Sequence, residues 1–228
     1  GAIRHKGYIP WDDDIDLLMP RPDYDLFLKL FNKDNNKNIK VLSNEIDSSF
    51  PYTFAKVIDC NTYLKENTLL NYPLGINIDI FPIDGFPNDL KKSKRFIRKV
   101  GLLKNIYTVK IIKKRKDGNI VKKIILNVAK MFAKPFNILA LVKKIILLSK
   151  TYKYEECKFV GCLVWGYGIK ERVPKFVFEN AIDVEFEHSL YKAPVGYDIY
   201  LKSLYGDYMK LPPEEKRKTH HSYIAYWK

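Results

Sequence analysis

Gly7-Tyr-Ile-Pro-Trp-Asp-Asp-Asp-Ile-Asp-Leu-Leu-Met-Pro20 sets four carboxylates, Asp12, Asp13, Asp14 and Asp16, within five positions and encloses them between apolar residues. Solvated acidic runs are normally flanked by Lys, Ser or Glu. Here Ile9 and Trp11 come before, and Leu17, Leu18 and Met19 after. A short buried strand over 14–19 puts Asp14 and Asp16 on one face and Ile15 and Leu17 on the other. Two carboxylates sharing one face repel, and each is costly to desolvate unless a positive group lies between them. A divalent cation is the simplest such group, and an all-oxygen donor set favours magnesium or manganese. A calcium loop counted from Asp12 needs Gly at its sixth position, where Leu17 stands, and Pro20 fits the ninth no better.

Outward from that stretch, Gly75-Ile-Asn-Ile-Asp-Ile-Phe-Pro-Ile-Asp-Gly-Phe-Pro87 alternates Ile76, Ile78 and Ile80 with Asn77, Asp79 and Phe81. This predicts a strand with Asp79 on its less apolar face, a third carboxylate for the same cation. Asp84, just before Gly85, reads as a turn residue or, alternatively, a further ligand. Arg4, His5 and Lys6 read as a basic loop suited to phosphate oxygens, or simply to water. Leu26, Phe27, Leu30 and Phe31 predict a helix beginning at Pro22 or Asp23. Short strands are expected at 39–42, 53–57 and 62–64.

The 228 residues are 46% hydrophobic, enough to bury a substantial core. No run of apolar residues is long enough to span a membrane. Three cysteines without a paired spacing predict free thiols in a reducing compartment. The net charge of +14 is unevenly placed: residues 91–153 hold 20 of the 40 basic residues and one of the 26 acidic ones. Within this segment, polar residues recur every three to four positions from Asn119 to Lys134. They leave a broad apolar face of Ile120, Val121, Ile124, Ile125, Val128, Met131 and Phe132. A Lys116–Asn119 break precedes that helix, and Pro135 ends it. Packing on the core with lysines outward would satisfy the pattern. The density of Lys with almost no Glu favours an anionic membrane surface, contacted by residues 91–150. Nucleic acid is not expected, because aromatic and basic residues are not interleaved here.

In the last third, 159–167 and 186–190 read as strands and 197–208 as an amphipathic helix. Lys216, Arg217, His220 and His221 follow together, as phosphate contacts or as an exposed tail. Adjacent histidines cannot share a helix face, so the pair is not expected to hold a metal.

Five ordered blocks, 1–16, 19–24, 54–62, 78–85 and 197–217, together with His220 and His221, resemble the LicD family of phosphocholine transferases, whose relatives include fukutin-type ribitol-phosphate transferases. The resemblance implies an α+β, nucleotidyltransferase-like fold, a small mixed sheet with helices packed on it. Residues 1–90 would form the catalytic core, 91–153 a basic helical insertion, and 154–228 the rest of the same domain. It implies that Asp14, Asp16 and Asp79 are the catalytic, metal-holding carboxylates, with Asp12 and Asp84 as further candidates, and that Mg2+ or Mn2+ is the cofactor. Arg4, His5, Lys6, Arg21, Lys56, Lys216, Arg217, His220 and His221 are the expected substrate contacts. The implied reaction moves phosphocholine from CDP-choline to a sugar hydroxyl of a surface glycan, of the teichoic acid or lipopolysaccharide type, and releases CMP. CDP-ribitol, CDP-glycerol and a non-catalytic binder are the alternatives. A lipid-linked acceptor would place the protein in the cytoplasm, peripheral on the inner face of the membrane. Family members begin with a helix and a Gly-rich turn before the position of Gly1, so this chain is expected to be weakly active without them.

Overall fold

The computed structural model describes residues 1–34, 36–113, 120–219 and 223–228. The Lys116–Asn119 break, His220 and His221 lie outside the described residues. In chain order the elements are α1 (Ala2–His5), β1 (Asp16–Pro20), α2 (Arg21–Leu30), β2 (Ile39–Leu42), β3 (Ala55–Asp59), β4 (Thr62–Glu66) and β5 (Asn77–Phe86). There follow α3 (Leu90–Ile111), α4 (Ile120–Ala133), α5 (Ile138–Ser149), β6 (Phe159–Cys162), β7 (Val173–Pro174), β8 (Ala181–Phe186), β9 (Ser189–Pro194), α6 (Tyr197–Tyr205) and β10 (Tyr223–Trp227).

β5 organises the sheet. Its ten residues pair in parallel with β1 along 79–83, antiparallel with β3 along 77–80, and antiparallel with β6 along 83–86. β2 extends the sheet beyond β3, and β7 beyond β6. Alternation gives this sheet two apolar faces. On one, Ile80, Ala55 and Val41 pack against Tyr24 and Leu28 of α2. On the other, Phe81, Ile58 and Leu42 join Val100 and Tyr107 of α3 and Leu141, Val142 and Ile145 of α5. The fold is α+β, with a mixed sheet covered by helices.

Two of the three basic helices are therefore part of the core. Asp89 caps α3, accepting from Lys92 N at 2.7 Å, and Asn137 caps α5 in the same way. α4 differs. Among its described residues only Ala133 is buried, while Ile120, Ile125, Met131 and Phe132 remain at least 62% exposed.

Three expectations are corrected. Arg4 and His5 belong to a short helix, not a loop, and the chain leaves it through Lys6 at φ 53°. The strand expected at 186–190 is the turn of the β8–β9 hairpin, with Glu187 and His188 at positive φ. Such a turn usually carries Asn or Gly, and Glu-His gives no such signal. The expected strand at 159–167 ends at Cys162.

Candidate active site

The register of β5 builds the site. Asp79 is paired with Asp16 on the parallel side and with Lys56 on the antiparallel side. Directly paired residues share a face, so Lys56, Asp79 and Asp16 form a row across three strands. Lys56 Nζ donates to both oxygens of Asp79, at 2.7 and 3.0 Å, and to Asn77 Oδ1 at 3.1 Å. Glu66 stands 3.6 Å away, and the rings of Tyr52 and Phe54 lie 4.9 and 5.4 Å from the ammonium. The aromatic faces and carboxylates offset the cost of burying this lysine, which is 4% exposed.

At the other end of the row the chain enters β1 from an acidic loop. Asp79 N donates to Ile15 O at 3.0 Å and fixes the end of that loop. The strand starts only at Asp16, so Asp14 stays with Asp12 and Asp13. The carboxylate oxygens of these three all lie within 4.8 Å of one another. Asp16 is coupled to both groups. Desolvation, then repulsion from Asp14, Asp79 and Asp12, pushes its carboxyl up to about 7, with Lys56 opposing. Burial likewise raises Asp79, against the pull of Lys56. Asp14, Asp16 and Asp79 therefore do not form one tight cage: Asp79 is held by Lys56, and Asp14 lies with Asp12 and Asp13. The donor set nonetheless suits a hard divalent cation. Asp12, Asp13 and Asp14 bring carboxylate oxygens together, and Asp16 is electrostatically coupled to them and to Asp79, an all-oxygen set of the kind such a cation prefers.

The remaining expected residues separate clearly. Arg21 is not open to a substrate: its guanidinium, 8% exposed, bonds both oxygens of Asp84 at 2.7 and 2.9 Å. Asp84 is correspondingly neither a turn residue nor a member of the carboxylate group. It lies inside β5, five residues beyond Asp79, and that odd separation turns it to the opposite face. Lys56 is engaged by Asp79 instead of waiting for a phosphate. Arg4 acts as a strut from α1 to the backbone beyond α6, donating to Tyr208 O at 2.7 Å. Lys6 pairs with Glu185 at 3.3 Å, and His5 meets Trp11 edge-on. Lys216 is exposed in a short turn. Arg217 does reach the acidic loop, with its guanidinium 5.4 Å from the ring of Trp11, next to Asp12.

Several neighbours were not anticipated from the chain alone. Tyr223, at the start of β10, donates to Asp13 O at 3.2 Å and ties the C-terminal strand to the acidic loop. Glu66 reaches Lys56 from β4 and also accepts from Tyr52 Oη at 2.7 Å. Only Asn77 had a legible signal, since it alternates in phase with Asp79.

A family model described as LicD/FKTN/FKRP, nucleotidyltransferase domain, matches residues 1–99, the span that contains Asp12 to Asp16, Lys56 and Asp79. The lipopolysaccharide cholinephosphotransferase LicD of Haemophilus influenzae is 34% identical over 238 residues, covering 99% of this chain and 84% of that protein. No solved structure matches.

Proposed function

This chain belongs to the LicD family, with its nucleotidyltransferase-like domain, and from that premise we propose that it transfers phosphocholine from CDP-choline to a sugar hydroxyl of a lipopolysaccharide-type glycan, releasing CMP. The observation that carries this reading is the convergence of Asp12, Asp14, Asp16 and Asp79 at the paired ends of β1 and β5. Asp12, Asp14 and Asp16 would hold Mg2+ or Mn2+, which when bound supplies positive charge against the pyrophosphate. Arg217, beside the acidic loop, is placed to meet donor phosphate oxygens. The acceptor oxygen forms a bond to the phosphorus that carries choline, the bond from that phosphorus to the CMP oxygen breaks, and CMP leaves as the anion. The hydroxyl proton goes to Asp79, whose carboxylate is kept in place by Lys56 and made more basic than usual by burial. The test is CMP release from CDP-choline by the natural full-length protein, with Mg2+ or Mn2+ and with EDTA, beside CDP-ribitol and CDP-glycerol. Metal-dependent release from CDP-choline is expected. Silence from every donor would replace the transferase with a binding protein.

The acceptor is proposed to be presented at an anionic membrane surface through α4. No helix of the described residues is long and apolar enough to cross a membrane. An exposed apolar stripe on a segment with so large a basic excess suits the interface of an anionic bilayer instead. Lys130 is the wrong residue with which to test this, because its ammonium bonds Ile112 O at 2.6 Å and docks α4 on the end of α3. Lys122, Lys123, Lys143 and Lys144 are exposed, and changing them to Glu is expected to abolish sedimentation with phosphatidylglycerol vesicles. Undiminished sedimentation would remove the membrane placement.

A further inference from the structure

The turn that follows β6, Trp165-Gly-Tyr-Gly168, projects two aromatic side chains into solvent, Trp165 at 39% and Tyr167 at 58% exposure. Its shape is held from below. Gly166 and Gly168 have φ of +85° and +70°, which residues with a Cβ rarely adopt. The buried carboxylate of Glu171 accepts from Tyr167 N at 2.9 Å and from Tyr200 Oη at 2.7 Å. A Cβ on Gly166 would lie 2.3 Å from that carboxylate, so the turn closes directly over it. Rings presented on so constrained a turn have little freedom left to lose on binding a ligand.

Two paths lead from these rings to the carboxylates. Trp165 meets Phe54 at 6.0 Å between centroids, and Phe54 lies 5.4 Å from the Lys56 ammonium that holds Asp79. Tyr167 meets Tyr205, the last residue of α6, edge-on at 5.5 Å. Burial first, then Tyr167, Glu171 and Asp16, raise the Tyr205 phenol, which places the Asp16 carboxylate within electrostatic reach of that ring. The aromatic group is thus linked through Phe54 to the Lys56–Asp79 pair.

We propose that Trp165, Tyr167 and Tyr205 form the subsite for the quaternary ammonium of the donor, and so select choline among the CDP-alcohols; this rests on the transferase reading above. A quaternary ammonium has no N–H to donate, so ring faces and nearby negative charge are what can recognise it. Ribitol and glycerol, by contrast, carry only hydroxyls and would leave those ring faces without a polar partner. The Trp165 ring already has one cation near it, Lys104 Nζ at 5.9 Å, although burial lowers the pKa of that lysine and weakens its competition.

The discriminating experiment compares CDP-choline with CDP-ethanolamine, whose primary ammonium keeps its N–H groups, as donors for wild type, Trp165→Ala, Tyr167→Ala and Trp165→Phe. Affinity for CMP is measured beside them by calorimetry. Wild type is expected to prefer CDP-choline, and each alanine variant to lose about tenfold of that preference, mainly in KM. Trp165→Phe keeps most of the preference, and CMP affinity stays within about twofold throughout. An unchanged preference in soluble, folded alanine variants overturns the subsite. A parallel loss of CMP affinity also overturns it, because the rings would then be stacking on cytosine. If wild type turns over neither donor, the transferase reading fails, and the subsite is judged separately by titrating choline alone. Saturable binding that Trp165→Ala abolishes supports it, and no binding, or equal binding by both proteins, rejects it.

Discussion

β5 carries two aspartates five residues apart, Asp84 buried and Asp79 half-buried, and they serve opposite ends. Asp84 meets one guanidinium in a bidentate pair on the α2 face, and both of its oxygens are satisfied. Asp79 shares one ammonium with Glu66 and Asn77 on the other face, and Asp16, Asp14 and Asp12 add negative charge beside it. The first arrangement locks β1–α2 to the sheet, and the same guanidinium meets Asp25 at 3.3 Å and Glu45 at 3.6 Å, with Lys150 beside both. The second sets the acidic loop beside the Lys56–Asp79 pair, and that repulsion reaches Asp16.

Each prediction tests that contrast. The largest expected effect is on turnover: Asp16→Asn should lower metal-dependent CMP release at least about a thousandfold, while the protein stays folded. Near-normal turnover with metal present would break the assignment. Next comes stability at the Arg21–Asp84 pair. Arg21→Met takes from the buried Asp84 carboxylate its bidentate partner, leaving Ser149 and the nearby Lys150, and should cost about 3–5 kcal/mol in denaturant titration. Asp16→Asn in the same assay should be neutral or stabilising at pH 8, so of the two only Arg21→Met should lose stability.

Lys56→Met should fall between them, losing about 1–3 kcal/mol as Asp79 surrenders its partner, with turnover reduced as well. A loss equal to that of Arg21→Met would mean that both aspartates are structural. The smallest effect is the pH dependence. Asp16 releases its proton near 3.8 in the unfolded chain and near 7 when folded. Between those values the folded state binds more protons, so its contribution to the stability of the metal-free protein falls as pH rises, and levels off above about 7. In the proposed site a divalent cation would take the place of that proton. The gain in Tm on adding Mg2+ should therefore be greater at pH 8 than at pH 5, and Asp16→Asn should flatten the difference.

Much of this site is legible in one dimension. Alternation puts Asp16 and Asp79 on strands, although Asp14, expected on the first, stays in the loop, and the 3.6-residue period marks α4 before any fold is known. What misleads is local context. Asp84 precedes Gly85 and looks like a turn residue; its strand pairing with Gly161 and its contact with Arg21, 63 positions away, have no local signature. Tyr223 looks like part of a tail until β10 pairs with β4. Arg4 and Lys6 look like phosphate contacts until α1 docks near the β8–β9 hairpin and the backbone beyond α6.

By itself, then, the sequence determined the periodic elements, the concentration of carboxylate near the start of the chain and the concentration of positive charge in its middle. These follow from residue type and spacing, which act over a few positions. Only the tertiary structure decided that Asp84 is locked to Arg21 on one face while Asp79 shares Lys56 with Glu66 beside the acidic loop, because Coulomb energy and desolvation depend on distances between strands that pair far apart in the chain.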